Sequence, residues 1–493
     1  MAYRVDRRSF LTGAAGLIGL AGTRPAWAQA DREVPVGFVR LRIVQGGFSI
    51  DGKNGKAYRI ERDDGGLGWY GNRGDRFRVA VDNGLDEPLT LHWHGLILPN
   101  GQDGVPYVTQ APIKPGERRL YDFPLVQAGT YWMHSHWGLQ EQAMLTAPLI
   151  IRDDQASPPM REVVVMLNDF TVRDASTILA DLRSRSMSKP MSGMKMGTGK
   201  PKMAMKADLN DVTYDAFLAN RRSLSDPEIF PVVAGEAVRL RVINMSSGTN
   251  YFVTTGRLPA QAIAVDGEDI VPLAGTRFEL GVAQRIDLRV VIPREGGAFP
   301  ILAEAEGTDG RAGVILATAG APVSAQRPRT GKPVGALTNR QESTLRAFRP
   351  LAQRSADRRL SVVLGGDMAA YVWSLNGQVW PKITPLEMKQ GERVEIDFTN
   401  RTGMTHPMHL HGHVFQVVAI DGARLPGARR DTVLVKAGQT VTVALDALYP
   451  GYWMIHCHLL YHQAAGMMTV LRYQGFENRS YDPLASLAEF PSR

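Results

Sequence analysis

HCHLLYHQAAGMM, His456 to Met468, is the stretch from which the rest of the chain is read. Cys457 is the only cysteine among 493 residues, so it has no intramolecular disulfide partner, and a histidine stands on either side of it. Successive side chains of a strand point to opposite faces. If His456-Cys457-His458 is extended, the thiolate points one way and both imidazoles the other, and one tripeptide serves two metal sites. His462 and Met467 follow five and ten residues after the cysteine. Two imidazoles, a thiolate and a weak thioether form the ligand set of a blue-copper electron-transfer centre. This stretch supplies all of them but one imidazole.

The missing imidazole comes from HPMHLHGH, His406 to His413. His409 and His411 share a face if extended; His406 has the opposite parity and can turn towards the thiolate side. Two more pairs lie upstream, His92 and His94 in LHWHG and His134 and His136 in YWMHSHWG. All eleven histidines fall in these four windows. Scattered surface or core histidines would not cluster so, and a structural zinc would use only four ligands.

These windows resemble those of the multicopper oxidases. The family's signatures HxHG, HxH, HxxHxH and HCHxxxHxxxxM stand here as HWHG, HSH, HPMHLH and HCHLLYHQAAGM, in that order. The resemblance implies four copper ions. It implies a type 1 copper on His406, Cys457 and His462 with Met467 axial, and a type 2 copper on His92 and His409. A type 3 pair would take His94, His134, His136, His411, His456 and His458. His413 is left over, packed or hydrogen-bonded behind a ligand.

Working outward, an internal repeat gives the architecture. GDRFRVAVDN begins at Gly74, GEAVRLRVIN at Gly235 and GERVEIDFTN at Gly391, each running from glycine to asparagine with alternating apolar positions. A second strand motif recurs as KPGERRLYDF from Lys114, GVAQRIDLRVVI from Gly281 and KAGQTVTVALDA from Lys436. Gly, Pro and β-branched residues recur throughout and long amphipathic helical runs are scarce. An all-β chain of three Greek-key β-sandwich domains follows, matching the cupredoxin-like domains that the resemblance implies. Domain 1 is expected over 33–157, domain 2 over 161–323 and domain 3 over 360–493, with 324–359 as a linker. Domain 2 has no histidine, so it should be copper-free, a spacer and wall. GTYWMHSH in the first copy and GYWMIHCH in the third suggest a pseudo-twofold site, each domain giving four imidazoles to one cluster.

The first 28 residues read as a twin-arginine signal peptide. Arg7-Arg8-Ser9-Phe10-Leu11 precedes an apolar run over Thr12 to Gly22 and the cleavage-like Ala26-Trp27-Ala28. That run is too short and too rich in Gly and Ala to span a bilayer. The twin-arginine export machinery is thus an expected partner, the periplasm the expected location, and no stable membrane insertion is expected. The segment carries four of the arginines and one aspartate, so the chain's +8 becomes +5 without it. That is an ordinary charge for this length, and the basic residues are dispersed, which excludes nucleic-acid binding. A monomer is expected. The stretch Met187 to Lys206, MSKPMSGMKMGTGKPKMAMK, holds six methionines and five lysines. Thioethers favour Cu(I), so it reads as a copper-capturing loop; the lysines, and the absence of His and Asp, favour a flexible excursion instead.

Three carboxylates are candidates for catalysis, on the family resemblance. Asp103, in NGQDGVP, stands where related oxidases keep an acid beside the cluster. Some cuprous oxidases carry an acid after the last type 1 histidine; here Gln463 stands there, and Glu141 after HSHWG is a substitute. Asp431, in RRDTVLV, matches an acid at the substrate edge of the type 1 site. The expected activity is oxidation of Cu(I), phenols or aromatic amines with reduction of dioxygen to water, in copper tolerance. The alternatives are a phenol-oxidising laccase with no metal role and a copper-sequestering protein without catalysis; a complete ligand set with an electron path argues against sequestration.

Overall fold

The structure, a computed structural model, describes residues 33–153, 160–187 and 209–477. The segment read as a signal peptide, residues 1–28, lies outside these residues, as does the methionine-rich stretch beyond Met187. The described residues form six sheets, packed as three β-sandwiches: two sheets of four strands, then six and five, then seven and five. Each sandwich encloses an apolar core, built around Phe77, Trp93 and Tyr121 in the first, Leu240, Leu288 and Phe299 in the second, and Ile396, Val443 and Trp453 in the third.

The repeat motifs occupy equivalent positions. Arg76–Asn83 lies parallel to Val39–Ile50 and antiparallel to Arg118–Pro124. Ala237–Asn244 lies parallel to Arg161–Phe170 and antiparallel to Arg285–Val291. Arg393–Asn400 lies parallel to Arg358–Asp367 and antiparallel to Thr440–Asp446. The closing asparagine of each motif explains its own recurrence. Asn83, Asn244 and Asn400 are buried where a strand ends in a turn, and each must satisfy backbone groups the ladder no longer pairs. Each side-chain oxygen accepts from the N–H two residues on, at Leu85, Ser246 and Thr402. Each amide donates to a carbonyl of the following turn and to one from a distant strand: Glu87 and Ile113, Thr249 and Leu280, Met404 and Val435.

The histidine windows pair strand against strand. Leu91–His94 runs antiparallel to Gly129–Ser135 with His92 opposite His134. His406–Leu410 runs antiparallel to Tyr452–Cys457 with His409 opposite His456. The two pairs therefore present like histidines at like positions of the first and third sandwiches. The strand Tyr452–Cys457 ends at the cysteine. The short helix Leu460–Ala464 then carries His462, and Gly466 (φ +113°) turns the chain back so that the Met467 carbonyl accepts from the Cys457 N–H at 3.1 Å. The stretch 324–359 lies against the middle sandwich through bridges of Arg329, Val334 and Ala347 to Gly310, Glu306 and Ile270. No helix among the described residues is long and apolar enough to cross a membrane.

Candidate metal centre

Two groups of metal-ligating atoms meet at opposite faces of the Cys457 backbone. On one face, Cys457 Sγ lies 3.5 Å from His406 Nδ1 and 3.9 Å from His462 Nδ1, and the two imidazole nitrogens are 3.1 Å apart. All three residues, and Met467, are fully buried. The outer nitrogens are engaged, which fixes the rings: His406 Nε2 with Thr402 Oγ1 at 2.6 Å, and His462 Nε2 with Asp211 Oδ2 at 2.7 Å. Trp373 stacks on the His462 ring at 3.9 Å. Burial pushes the Cys457 thiol far up, so a thiolate here needs a cation beside it.

On the other face, eight histidines from the first and third sandwiches converge. His92, His94 and His134 present ligand atoms within 4.8 Å of one another, as do His92, His409 and His411, and His136, His411 and His456. His411 Nε2 and His456 Nε2 are 3.0 Å apart. Nε2 of His92, His134, His136, His409 and His458, and Nδ1 of His94, are buried without a hydrogen-bond partner. Leaving so many polar atoms unpaired in a core is costly, and copper ions would satisfy them. Burial holds His94, His134, His136, His409, His411 and His458 well below the usual imidazole range, and His456 at about 3. Neutral rings keep their lone pairs for a metal. The residues present fit copper. His413 stands behind this group, its Nδ1 donating to the His411 carbonyl and its Nε2 meeting Tyr473 Oη at 2.8 Å.

Acids set the ring orientations. Asp103 is fully buried; its Oδ2 accepts from His411 Nδ1 at 2.9 Å and its carbonyl from His92 Nδ1 at 2.8 Å. One loop residue of the first sandwich thereby holds a histidine of each terminal sandwich. The next residue is Gly104 (φ +82°), where a Cβ would run into the Leu91 carbonyl. Glu141 Oε2 lies 2.8 Å from His134 Nδ1, and Oε1 lies 3.8 Å from His458 Nδ1. Burial, with the Asp169 carboxylate nearby, pushes Glu141 well above the usual carboxylate range.

Asp431 is not at a substrate edge, contrary to the expectation. It is fully buried among the cluster histidines, with Oδ1 3.1 Å from His94 Nε2 and both oxygens on the Arg285 guanidinium. It immediately precedes the strand Thr432–Val435, which pairs with His406–Leu410, and this places it against His409 rather than at the solvent. The acid at the His462 edge is Asp211 instead, which also accepts from Tyr371 Oη at 2.6 Å. Burial opposes its charge, but the hydrogen bonds from His462 and Tyr371 hold its carboxyl below the usual range. Asp211 lies in a hollow with Leu209, Tyr214, Leu459, Tyr461 and His462. Sequence reasoning missed Asp211 and Arg285; both come from the histidine-free middle sandwich, which is therefore more than a wall. No local pattern marks either one.

Comparison with known proteins agrees with this geometry. Multicopper oxidase family models match residues 69–156, 161–321 and 355–475. The chain is 35% identical to multicopper oxidase MmcO of Mycobacterium tuberculosis, over 81% of this chain and 80% of that protein. It is 27% identical to copper resistance protein A of Escherichia coli, over 96% of this chain and all of that protein. Its fold matches the laccase from Botrytis aclada with a TM-score of 0.74 at 22% identity, over 91% and 90% of the two chains. Three matched segments, each on one β-sandwich, and two converging sets of histidines lead to one conclusion: the chain belongs to the multicopper oxidases, oxidoreductases that use dioxygen as acceptor.

Proposed function

We propose that this enzyme is an exported, periplasmic oxidase of copper tolerance that oxidises Cu(I), or phenolic and aromatic-amine donors, and reduces dioxygen to water. The observation that carries the reading is the pairing of a Cys457–His406–His462 triangle with a set of buried, unpartnered histidine nitrogens on the opposite face of the same backbone. In this reading His406, Cys457 and His462 hold a type 1 copper with Met467 axial. His92 and His409 hold a type 2 copper, and His94, His134, His136, His411, His456 and His458 a type 3 pair. The domains are those of the sequence reading, 33–157, 161–323 and 360–493.

Bound copper supplies one-electron storage, four equivalents in all, so that dioxygen is reduced without release of peroxide. The chain does the rest. His462 turns its Nε2–H outward to Asp211, whose second oxygen, Oδ1, is buried without a partner. That oxygen is placed to attract a cuprous ion in the small hollow. Cys457 is flanked by His456 and His458, so an electron crosses one residue of backbone to reach either terminal-cluster histidine. Glu141, whose carboxyl burial pushes above the usual range, lies beside His134 and is the proton donor of this reading in place of Gln463. Asp103 lies between His92 and His411, its carboxyl group within 3.3 Å of one ring and 2.9 Å of the other.

Copper as the donor is supported by chain order. The methionine-rich stretch ends at Lys206, and the chain re-enters the described residues at Leu209, which lines the hollow beside Asp211. The relatives named for copper resistance fit the same reading. The relatives named as laccases favour the second reading, a phenol-oxidising laccase. Oxygen uptake by the copper-loaded chain, with Cu(I) against a dimethoxyphenol, in the intact chain and with 187–206 deleted, decides between them. Selective loss of cuprous turnover on deletion supports copper tolerance; phenol turnover dominant in both supports the laccase.

A further inference from the structure

Arg285 belongs to the middle sandwich, which offers the metal no ligand, yet its side chain is fully buried against the cluster. Its guanidinium makes contact with all three sandwiches. Nε donates to the Thr130 carbonyl of the first at 3.0 Å, Nη1 to the Ala283 carbonyl of its own at 3.2 Å, and Nη1 and Nη2 to Asp431 of the third at 2.8 and 2.5 Å. A planar fork on a carboxylate fixes direction as well as distance. Asp431 and Thr432 then hold two rings. His94 Nε2 lies 3.1 Å from Asp431 Oδ1 and 3.2 Å from Thr432 Oγ1. His409 Nδ1 lies 2.8 Å from the Asp431 carbonyl and 3.1 Å from Thr432 Oγ1. The two rings stack at 3.8 Å, one from each terminal sandwich, and the nitrogens left over, His94 Nδ1 and His409 Nε2, are the unpartnered ones.

The surroundings are built for this approach. His94 is followed by Gly95 (φ +87°), where a Cβ would sit 2.5 Å from Asp431 Oδ2 and 2.6 Å from Arg285 Nη2. Behind Arg285, Asp266 accepts from the Arg285 N–H and pairs with Arg430, which in turn meets Glu342. Two arginines thus face three acids in the buried chain Asp431, Arg285, Asp266, Arg430 and Glu342.

We infer that Arg285 is a positioning residue of the histidine cluster: through Asp431 and Thr432 it selects the tautomer and fixes the direction of His94 and His409, so that a domain without ligands sets the geometry of the centre. The inference rests on the proposed copper assignment. It is tested on the full-length, copper-loaded chain with R285M, R285K and D431N, reading copper per chain, the blue thiolate band, the hyperfine splitting of the type 2 EPR signal and the near-ultraviolet absorption of the type 3 pair. The variants should keep the blue band, because Cys457, His406 and His462 have no contact with Arg285. R285M and D431N should lose or shift the type 2 and type 3 signals, with cluster copper affinity down about 10- to 100-fold, and R285K should restore part of them. Unchanged cluster signals in R285M and D431N would overturn the inference. Loss of the blue band together with the cluster signals would also overturn it, since Arg285 would then hold only the fold. A wild-type chain that shows a blue band but no cluster signals would instead refute the copper assignment itself.

Discussion

At the residue scale, the centre is decided by which nitrogen of each ring is tied and which is left open. Asp103, Glu141 and Asp431 each tie histidines by the nitrogen that faces away from the cluster. In the proposed mechanism Glu141 and Asp103 are the groups that deliver protons. E141Q and D103N should slow reoxidation of the fully reduced enzyme by dioxygen about a hundredfold or more, measured by stopped-flow return of the blue band, while donor-side reduction stays fast. Gly95 is a second check on the crowding. G95A places a methyl against Asp431 and Arg285 at a positive φ, so it should cost about 1–3 kcal/mol and disturb the cluster signals before the blue band. The residues that converge at the two centres were legible in the sequence because metal ligation imposes short, fixed spacings on rare residues: one cysteine, eleven histidines, four windows. The acids were legible only in part. Asp103 and Glu141 are close in sequence to one histidine each, His92 and His134, although each also reaches one from the third sandwich, His411 and His458. Asp211 and Arg285 stand 251 and 146 positions from their partners, and only the folded chain joins them. Asp431 was visible but misread, because an acid between two strands carries no local sign of which face it will turn to.

At the element scale, the same unit is used three times, and the asparagine closing each central strand is its lock. N83A, N244A and N400A each strand buried carbonyls and one N–H, at about 1–3 kcal/mol for each group left unpaired. All three should lower the melting temperature of the apo chain, and N400A should also weaken the blue band, since the Asn400 turn leads to Thr402 and His406. The seam between the first two sandwiches is polar. Asp287 accepts from Thr130 at 2.7 Å and pairs with Arg239 and Arg241. Burial opposes its charge, but the two arginines outweigh it and hold the carboxyl below the usual range. Its unfolded counterpart takes a proton first as pH falls, so its contribution is present above about pH 4 and is lost as pH falls through the lower, folded value. D287N should therefore be less stable at neutral pH and show a flatter loss of stability on acidification below that point, read by urea unfolding across pH. The repeat was legible because alternation and the Gly-to-Asn frame survive in all three copies. The seams were not, because they are made by charged side chains that look the same in sequence as solvated ones.

At the scale of the whole molecule, the division of labour follows from topology. The first and third sandwiches face each other with like histidine strands, the third alone adds a cysteine, and the middle sandwich lends Asp211 to one centre and Arg285 to the other. In the proposed reading, electrons should enter beside Asp211 and leave at the histidine cluster, with the Cys457 backbone as a short covalent link between the two. The most direct test is the stoichiometry of oxygen uptake in the copper-loaded chain and in C457S, with peroxide assayed in parallel. The account predicts four donor electrons consumed per dioxygen, no peroxide, and no steady turnover in C457S although that variant still binds copper at the cluster. Peroxide accumulating at two electrons per dioxygen, or undiminished turnover in C457S, would contradict it.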